Sequence, residues 1–269
     1  MKVAALQMTS GVQVVANLAT AQRLLELAAV GQAQLAVLPE NFAFMGKGER
    51  DKLAVAEDDG DGPIQAFIAA QARALALTVV AGTVPLRVAG DTRVAAASLV
   101  YGPDGRRLGR YDKIHLFDVD LPGRAETYRE SAGTVPGTAV VVLDTPAGRV
   151  GLSVCYDLRF PELYRRMAAQ GADFMVVPAA FTVPTGEAHW DVLLRARAIE
   201  NLCHVVAAAQ SGSHENGRRT HGNSLVVDCW GEVLGRLPDG EGCVLADIDL
   251  SRQRTLRAGF TALTHRVFD

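Results

Sequence analysis

A cysteine lies where the sequence changes from a strand pattern to a helix pattern. Apolar residues alternate with small ones from Arg149 up to Cys155, which predicts a strand. Pro161 then suits the first turn of a helix, because the N–H that proline lacks would be unpaired there anyway. Backbone N–H groups after such a bend can point at an atom bonded to the sulfur. The stretch predicts a nucleophilic thiol, and the alternative is a buried cysteine that fills a gap in the core.

Two further reactive side chains follow other predicted strands. Glu40 comes just after the apolar run at residues 35 to 38, and Lys113 lies just past the predicted strand at residues 106 to 111. In α/β folds the carboxyl ends of strands converge on a crevice, so we expect both side chains to meet Cys155. A carboxylate can take the thiol proton and later activate water. An ammonium can stabilise an oxyanion and favour the thiolate, so the set predicts an acyl-transfer site.

Each of these residues also has a structural interpretation. Glu40 is equally compatible with a helix cap or a salt bridge, and Lys113 with an ordinary solvated lysine. A site built on cysteine and histidine is a further alternative, since His115, His189 and His204 are available. None of these histidines lies in a context that resembles the motifs of papain-like proteases or caspases, so this alternative is less favoured.

The rest of the chain mixes β-α-β steps with antiparallel hairpins. Turn sequences such as Gly102-Pro-Asp-Gly105 join strands directly, whereas helical patterns near residues 14 to 28, 63 to 77 and 184 to 201 separate others. About a dozen strands and four or five helices predict two mixed sheets face to face, with helices on both outer sides. Residues 112 to 135 show no clear period and predict a long ordered loop. With no repeat or linker, we expect one domain over residues 1–269.

Composition and charge exclude several classes of protein. The chain of 269 residues is 49% hydrophobic and 21% charged, with a net charge of −3, which does not fit the basic surface of a nucleic-acid-binding protein. No run of about 18 apolar residues is present, so we expect no membrane span. The four cysteines lack paired spacing, which indicates reduced thiols in a cytoplasmic protein and no zinc or other metal site.

Three stretches resemble the Glu-Lys-Cys motifs of the nitrilase (carbon-nitrogen hydrolase) superfamily. They are Leu38-Pro-Glu40-Asn, Tyr111-Asp-Lys113-Ile-His-Leu-Phe-Asp and Val154-Cys155-Tyr-Asp-Leu-Arg-Phe-Pro-Glu162. Their order and spacing agree with the superfamily, and the similarity runs from Val3 to about Arg266. Stretches such as His189-Trp-Asp-Val-Leu-Leu-Arg-Ala-Arg-Ala-Ile-Glu-Asn201 are similar to the deaminated glutathione amidase branch.

The resemblance implies a fold and a type of reaction. The implied fold is α/β, a four-layer α-β-β-α sandwich with two mixed six-stranded sheets. The implied assembly is a homodimer or a higher homo-oligomer. The implied reaction is hydrolysis of a small-molecule amide through a cysteine thioester, with no metal and no organic cofactor.

The resemblance also assigns roles to individual residues. Cys155 would be the nucleophile, Glu40 the general base and Lys113 the oxyanion stabiliser. Glu130 matches a second glutamate that holds the lysine and shapes the pocket in many members, and the alternative is a carboxylate on a surface loop. The residues implied to surround the reacting carbonyl, through a backbone N–H or as lining of the acyl pocket, are Tyr156, Phe181 and Thr182.

The implied substrate is deaminated glutathione, in which a ketone replaces the glutamyl amine. Cleavage returns the α-keto acid and Cys-Gly. Because this substrate carries carboxylates, we expect a cation in the pocket and select Arg159, with a structural ion pair as the alternative. One other possible function is an ω-amidase acting on α-ketoglutaramate or a related carbon-nitrogen hydrolase. A second is a non-catalytic binding protein on the same fold, against which the complete set of Glu40, Lys113 and Cys155 argues.

Overall fold

A computed structural model describes residues 1–120 and 126–267. The α-helices in these residues are α1 (Val14–Val30), α2 (Pro63–Leu75), α3 (Pro161–Ala169), α4 (Val183–Asn201) and α5 (Leu250–Gly259). Short 3-10 helices cover Asp51–Val55, Glu130–Ala132, Cys155–Arg159 and Thr261–Thr264. Proline lies in the first turn of α2, α3 and α4, where its missing N–H costs no hydrogen bond. Within the described part of the chain, no helix combines the length and hydrophobicity that crossing a membrane requires.

The strands are numbered in chain order. They are β1 (Lys2–Gln7), β2 (Leu35–Leu38), β3 (Thr78–Ala81), β4 (Val84–Arg87), β5 (Val94–Tyr101), β6 (Arg107–Asp112), β7 (Asp118–Asp120), β8 (Thr127–Arg129), β9 (Thr134–Val135), β10 (Val142–Thr145), β11 (Gly148–Leu152), β12 (Phe174–Ala179), β13 (His204–Ala209), β14 (Ser211–Ser213), β15 (Arg219–His221), β16 (Ser224–Val227), β17 (Val233–Leu237) and β18 (Gly242–Asp247).

The strands form two large mixed sheets. The first has the order β18-β1-β2-β3-β5-β4, with β6 and β9 also paired to β5, and β1, β2 and β3 are parallel. The second has the order β10-β11-β12-β13-β16-β17, with β11, β12 and β13 parallel. The expected six strands are found in the second sheet and along the main path of the first. The short pairings of β6 and β9 extend the first sheet to eight strands.

The alternation of side chains along β1 explains the layers. Val3 and Ala5 point into the apolar core shared with the second sheet, and Ala4 and Leu6 point into a core shared with α1 and α2. Helices α3 and α4 pack their apolar residues against the second sheet from the other side. The order of layers is therefore helices, first sheet, second sheet, helices, which is the expected α-β-β-α sandwich.

Two segments differ from the strand pattern in the sequence. The apolar run from Thr78 to Val84 predicts one strand, but the chain breaks into β3 and β4 at Gly82. A Cβ at Gly82 would lie 1.9 Å from the carbonyl oxygen of Pro39, so only glycine allows this close approach to the chain beside Glu40. Residues 112 to 135 contain β7, β8, a 3-10 turn and β9 where a loop was expected, and residues 121–125 of that loop lie outside the described residues.

Candidate active site

Three reactive side chains that follow different strands meet in one cavity. Glu40 lies just after β2, Lys113 just after β6 and Cys155 shortly after β11. Lys113 Nζ donates to Glu40 Oε1 at 2.7 Å and to Glu130 Oε2 at 2.8 Å, so the ammonium lies between two carboxylates. All four side chains are almost completely buried and line a cavity of about 600 Å³. Glu130 is thus a buried partner of the lysine and not a carboxylate on a surface loop.

The backbone at Cys155 is strained in a way that aims its side chain. Its φ is 50°, in the left-handed region that residues other than glycine rarely adopt. A 3-10 turn, Cys155–Arg159, separates the strand from α3, so the expected direct bend from strand to α-helix contains an extra turn. A left-handed residue at such a bend presents its side chain at the end of the sheet, as in a nucleophile elbow. Tyr156 is the second residue of this turn, where a backbone N–H is available to an oxyanion.

The second sheet fixes the chain around Cys155. Ser153 Oγ donates to the carbonyl oxygen of Val176 at 2.8 Å and lies 2.7 Å from the hydroxyl of Tyr164. The N–H of Ala180, directly after β12, hydrogen-bonds the Cys155 sulfur. The sulfur is therefore positioned by its own strained turn and by the end of the neighbouring strand.

A fully buried carboxylate, Asp157, ties the cysteine turn to the segment that carries Lys113. Its Oδ2 accepts hydrogen bonds from Tyr111 OH at 2.7 Å and from Val154 N–H at 2.8 Å. Its Oδ1 accepts the backbone N–H of His115 at 3.0 Å and lies 2.7 Å from the Nδ1 of the same residue. Because Tyr111 and His115 flank Lys113, this one carboxylate sets where the lysine lies relative to the sulfur.

Replacing Asp157 by asparagine should lower kcat/KM by roughly 10- to 100-fold in a protein that still folds. An amide offers one acceptor oxygen to four converging groups, and each buried hydrogen bond to a charged group contributes about 1.5–3 kcal/mol, roughly ten- to 100-fold in rate. Steady-state kinetics at a temperature where the variant is folded, with the urea midpoint measured in parallel, checks this. Asp144→Asn, which changes an exposed carboxylate, is the matched control. Full activity in Asp157→Asn would rule out the positioning role.

The buried Lys113 and Glu130 each stabilise the charged form of the other. Burial opposes the charged form of Lys113, but the carboxylates of Glu130 and Glu40 outweigh it and raise the pKa of the ammonium well above its ordinary value. Burial also opposes ionisation of Glu130, but the nearby Lys113 and Lys52 lower the pKa of this carboxyl. The lysine therefore stays cationic and Glu130 anionic at neutral pH, which an oxyanion-stabilising pair requires.

The Cys155 thiol, unlike Lys113 and Glu130, is not on balance stabilised in its charged form. Burial, followed by the negative charge of Glu40, raises the pKa of Cys155 above the ordinary thiol value, and the opposing effect of Lys113 does not compensate. Lys113 favours the thiolate, as expected, but its effect is smaller than the combined effects of burial and Glu40. Cys155 rests as a thiol, and a nucleophilic attack needs a base that removes its proton during the reaction.

The predicted pocket residues all line the same cavity as Cys155. The guanidinium of Arg159 lies over the rings of Phe181, at 5.3 Å, and Tyr156, at 5.7 Å, and its Nη1 is 3.2 Å from His189 Nδ1. Thr182 is buried at the start of α4, with its Oγ1 hydrogen-bonded to a neighbouring threonine. The alternative interpretation of Arg159, a structural ion pair, is not found among the described residues, where its contacts are two aromatic rings and an imidazole.

Comparison with known proteins places this geometry in a family. The profile of the carbon-nitrogen hydrolase family matches residues 2–258. The chain is 45% identical to the deaminated glutathione amidase of Synechocystis sp., over 98% of this chain and 97% of that one. It is 40% identical to the deaminated glutathione amidase of Homo sapiens, over 98% of this chain and 81% of that one. The chain belongs to the carbon-nitrogen hydrolase family.

The fold agrees with that of a solved relative. The NitFhit protein of Caenorhabditis elegans superposes on this carbon-nitrogen hydrolase with a TM-score of 0.92 at 37% sequence identity. The match covers 99% of this chain and 65% of that one, so this chain spans about two thirds of NitFhit.

The sequence did not indicate how this carbon-nitrogen hydrolase holds Glu40. Gln210 Nε2 donates to the carbonyl oxygen of Glu40 at 3.0 Å and lies 2.7 Å from Ser10 Oγ. The N–H of Asn41, whose φ is 58°, donates to Thr83 Oγ1 at 2.9 Å. Gln210, Ser10 and Thr83 lie far from Glu40 in the chain, and no local pattern marks them. Asn41 alone carries a signal, because asparagine tolerates the left-handed region.

Proposed function

We propose that this carbon-nitrogen hydrolase is an amidase that acts through a thioester on Cys155. The observation that carries the proposal is the buried ammonium of Lys113 between Glu40 and Glu130, in the cavity that Cys155 also lines. Family membership supports the reaction type. The roles follow the Glu-Lys-Cys triad, with Glu40 as general base, Lys113 as oxyanion stabiliser and Cys155 as nucleophile.

In the proposed first half-reaction, Glu40 removes the proton from the Cys155 thiol as the sulfur attacks the amide carbonyl. The raised pKa of the thiol makes this transfer necessary, because little thiolate is present beforehand. The negative charge that develops on the carbonyl oxygen is stabilised by Lys113 and by the N–H of Tyr156. Glu40 then gives its proton to the departing nitrogen, the C–N bond breaks and an acyl thioester remains on the sulfur.

In the proposed second half-reaction, Glu40 takes a proton from a water molecule that attacks the thioester. The same oxyanion stabilisers act on the second tetrahedral intermediate, and the carboxylic acid leaves while the sulfur recovers its proton. Glu130 touches neither water nor sulfur in this scheme. It keeps Lys113 charged and oriented through its two hydrogen bonds.

We propose deaminated glutathione as the substrate, because the relatives at 45% and 40% identity carry that activity in their names. The acyl part would lie against Phe181 and Thr182, with its carboxylate on Arg159, whose guanidinium stacks on Phe181. The amine that leaves would be Cys-Gly. The cavity of about 600 Å³ is large enough for a tripeptide analogue.

A comparison of two keto-acid amides tests this substrate. We expect kcat/KM for deaminated glutathione to exceed that for α-ketoglutaramate by roughly tenfold or more, because the larger substrate makes more contacts in the transition state. Steady-state kinetics of the purified wild-type protein with both compounds measures the ratio. A larger value for α-ketoglutaramate would favour the ω-amidase alternative. Turnover of neither compound would favour another amide substrate or the binding-protein alternative.

We also propose that the protein forms a homodimer or higher homo-oligomer. Large apolar side chains are exposed together on and beside α4, namely Val192, Ile199, Trp230 and Phe260. The rings of Trp230 and Phe260 lie 5.5 Å apart, and the chain at Gly231 packs on Ile199. An exposed apolar cluster such as that of Ile199, Trp230 and Phe260 is typical of a protein interface. Sedimentation equilibrium of the wild-type protein tests the assembly.

We propose that residues 1–269 form one catalytic domain and that the protein is cytoplasmic. The family match over residues 2–258 supports a single domain. The four cysteines are free thiols, which supports a reducing compartment. Limited proteolysis that leaves one fragment of nearly full length would agree with a single domain.

A further inference from the structure

We propose that Arg218 binds the carboxylate of the departing amine and so selects substrates whose leaving group is an acidic peptide. The proposal rests on the function proposed above. Arg218 lies between β14 and β15 and lines the same cavity as Cys155.

The guanidinium of Arg218 is fixed but not neutralised. Its Nη2 donates to the carbonyl oxygen of Ala180 at 2.7 Å, and its central carbon lies 5.1 Å from the centre of the Tyr128 ring. Its Nε is buried and has no hydrogen-bond partner, and no ion pair with a carboxylate is found within the described ranges. A buried donor on a charged group is costly when unpaired, so this group is suited to an anionic ligand that enters the cavity.

A second guanidinium in the cavity contacts the residue next to the one that Arg218 contacts. Arg159, on the cysteine turn, stacks on Phe181, whereas Arg218 bonds the carbonyl of Ala180. The N–H of Ala180 contacts the Cys155 sulfur, so both cations lie close to the reacting bond. Arg159 and Arg218 have no carboxylate partner among the described residues, so the cavity fits a substrate with one carboxylate on each side of the amide.

The two cations can be assigned to the two halves of deaminated glutathione. Arg159 lies with Phe181, on the side proposed for the acyl group and its keto-acid carboxylate. Arg218 lies instead against Tyr128 of β8. The carboxylate left for Arg218 is that of the glycine in the leaving Cys-Gly. A planar guanidinium held on a carbonyl and an aromatic ring is preorganised to bind a carboxylate through more than one N–H.

The test combines one variant with one change in the substrate. The probes are deaminated glutathione and its analogue in which the glycine carboxylate is a primary carboxamide. We expect the wild-type enzyme to favour the acid over the carboxamide by roughly 10- to 100-fold in kcat/KM, mainly through KM. Arg218→Gln should lose most of this preference, because its rate on the acid falls towards its rate on the carboxamide.

A matched variant and a conservative variant separate binding from structural effects. Arg159→Gln should slow both probes while the preference for the acid survives. Arg218→Lys, which retains a donor and the charge, should keep part of the preference and guards against a glutamine variant that fails to fold. Equal losses on both probes in the Arg218 variants, or an undiminished preference, would overturn the inference and leave the proposed function intact. A wild-type enzyme that hydrolyses neither probe would overturn the proposed substrate and this inference together.

Discussion

Replacing Cys155 by alanine should reduce amide hydrolysis to the uncatalysed background, a loss of roughly 10⁴-fold or more. Without the sulfur no thioester can form, and the remaining Glu40 and Lys113 have no nucleophile to activate except water. The side chain is small and lines the cavity, so the loss should come with little change in stability. This outcome would also separate an enzyme from a binding protein on the same fold.

Activity and intact mass measured together give the sharpest form of this test. Wild-type protein mixed rapidly with substrate and quenched in acid should gain the mass of the acyl group, and Cys155→Ala should not. Cys203→Ala is the matched control, because Cys203 is also a buried thiol but bonds backbone carbonyls outside the cavity. Substantial turnover by Cys155→Ala, or an acyl adduct on another cysteine, would refute the proposed nucleophile.

Replacing Glu40 by glutamine should lower kcat by roughly 10²- to 10⁴-fold, the range expected for loss of a general base. The amide keeps the size of the side chain but cannot accept the proton of the Cys155 thiol. That proton has to move during attack, because burial and the charge of Glu40 itself raise the pKa of the thiol. Lys113 should remain charged in the variant, since Glu130 still holds it with two hydrogen bonds.

Single-turnover kinetics can show whether Glu40 serves both half-reactions. We expect slow acylation and slow hydrolysis of the thioester in Glu40→Gln, measured by quenched-flow mass spectrometry. Glu49→Gln is the control, because Glu49 also lines the cavity but is partly exposed and pairs with Lys52. If Glu40→Gln acylates at the wild-type rate, another group must take the thiol proton, and the assignment of the base is wrong.

Much of the architecture could be predicted from local patterns. Alternating and continuous apolar runs indicated where most strands lie, and a helical period with a proline in the first turn indicated α2, α3 and α4. Such patterns work because each strand or helix must bury one face whatever its partners are. The positions of Glu40, Lys113 and Cys155 after strands belong to the same local information, as does the family motif around each of them.

The arrangement of the site was decided only by the tertiary structure. The left-handed backbone of Cys155, the four hydrogen bonds on Asp157 and the unpaired Nε of Arg218 depend on segments from distant parts of the chain. The pKa of the thiol likewise follows from how completely the site is buried and how close Glu40 lies, and a sequence states neither. The sequence by itself determined which reactive groups this protein has and which strand each one follows. Packing of the two sheets decided their distances and charges, because burial and pairing energies arise only when those strand ends meet.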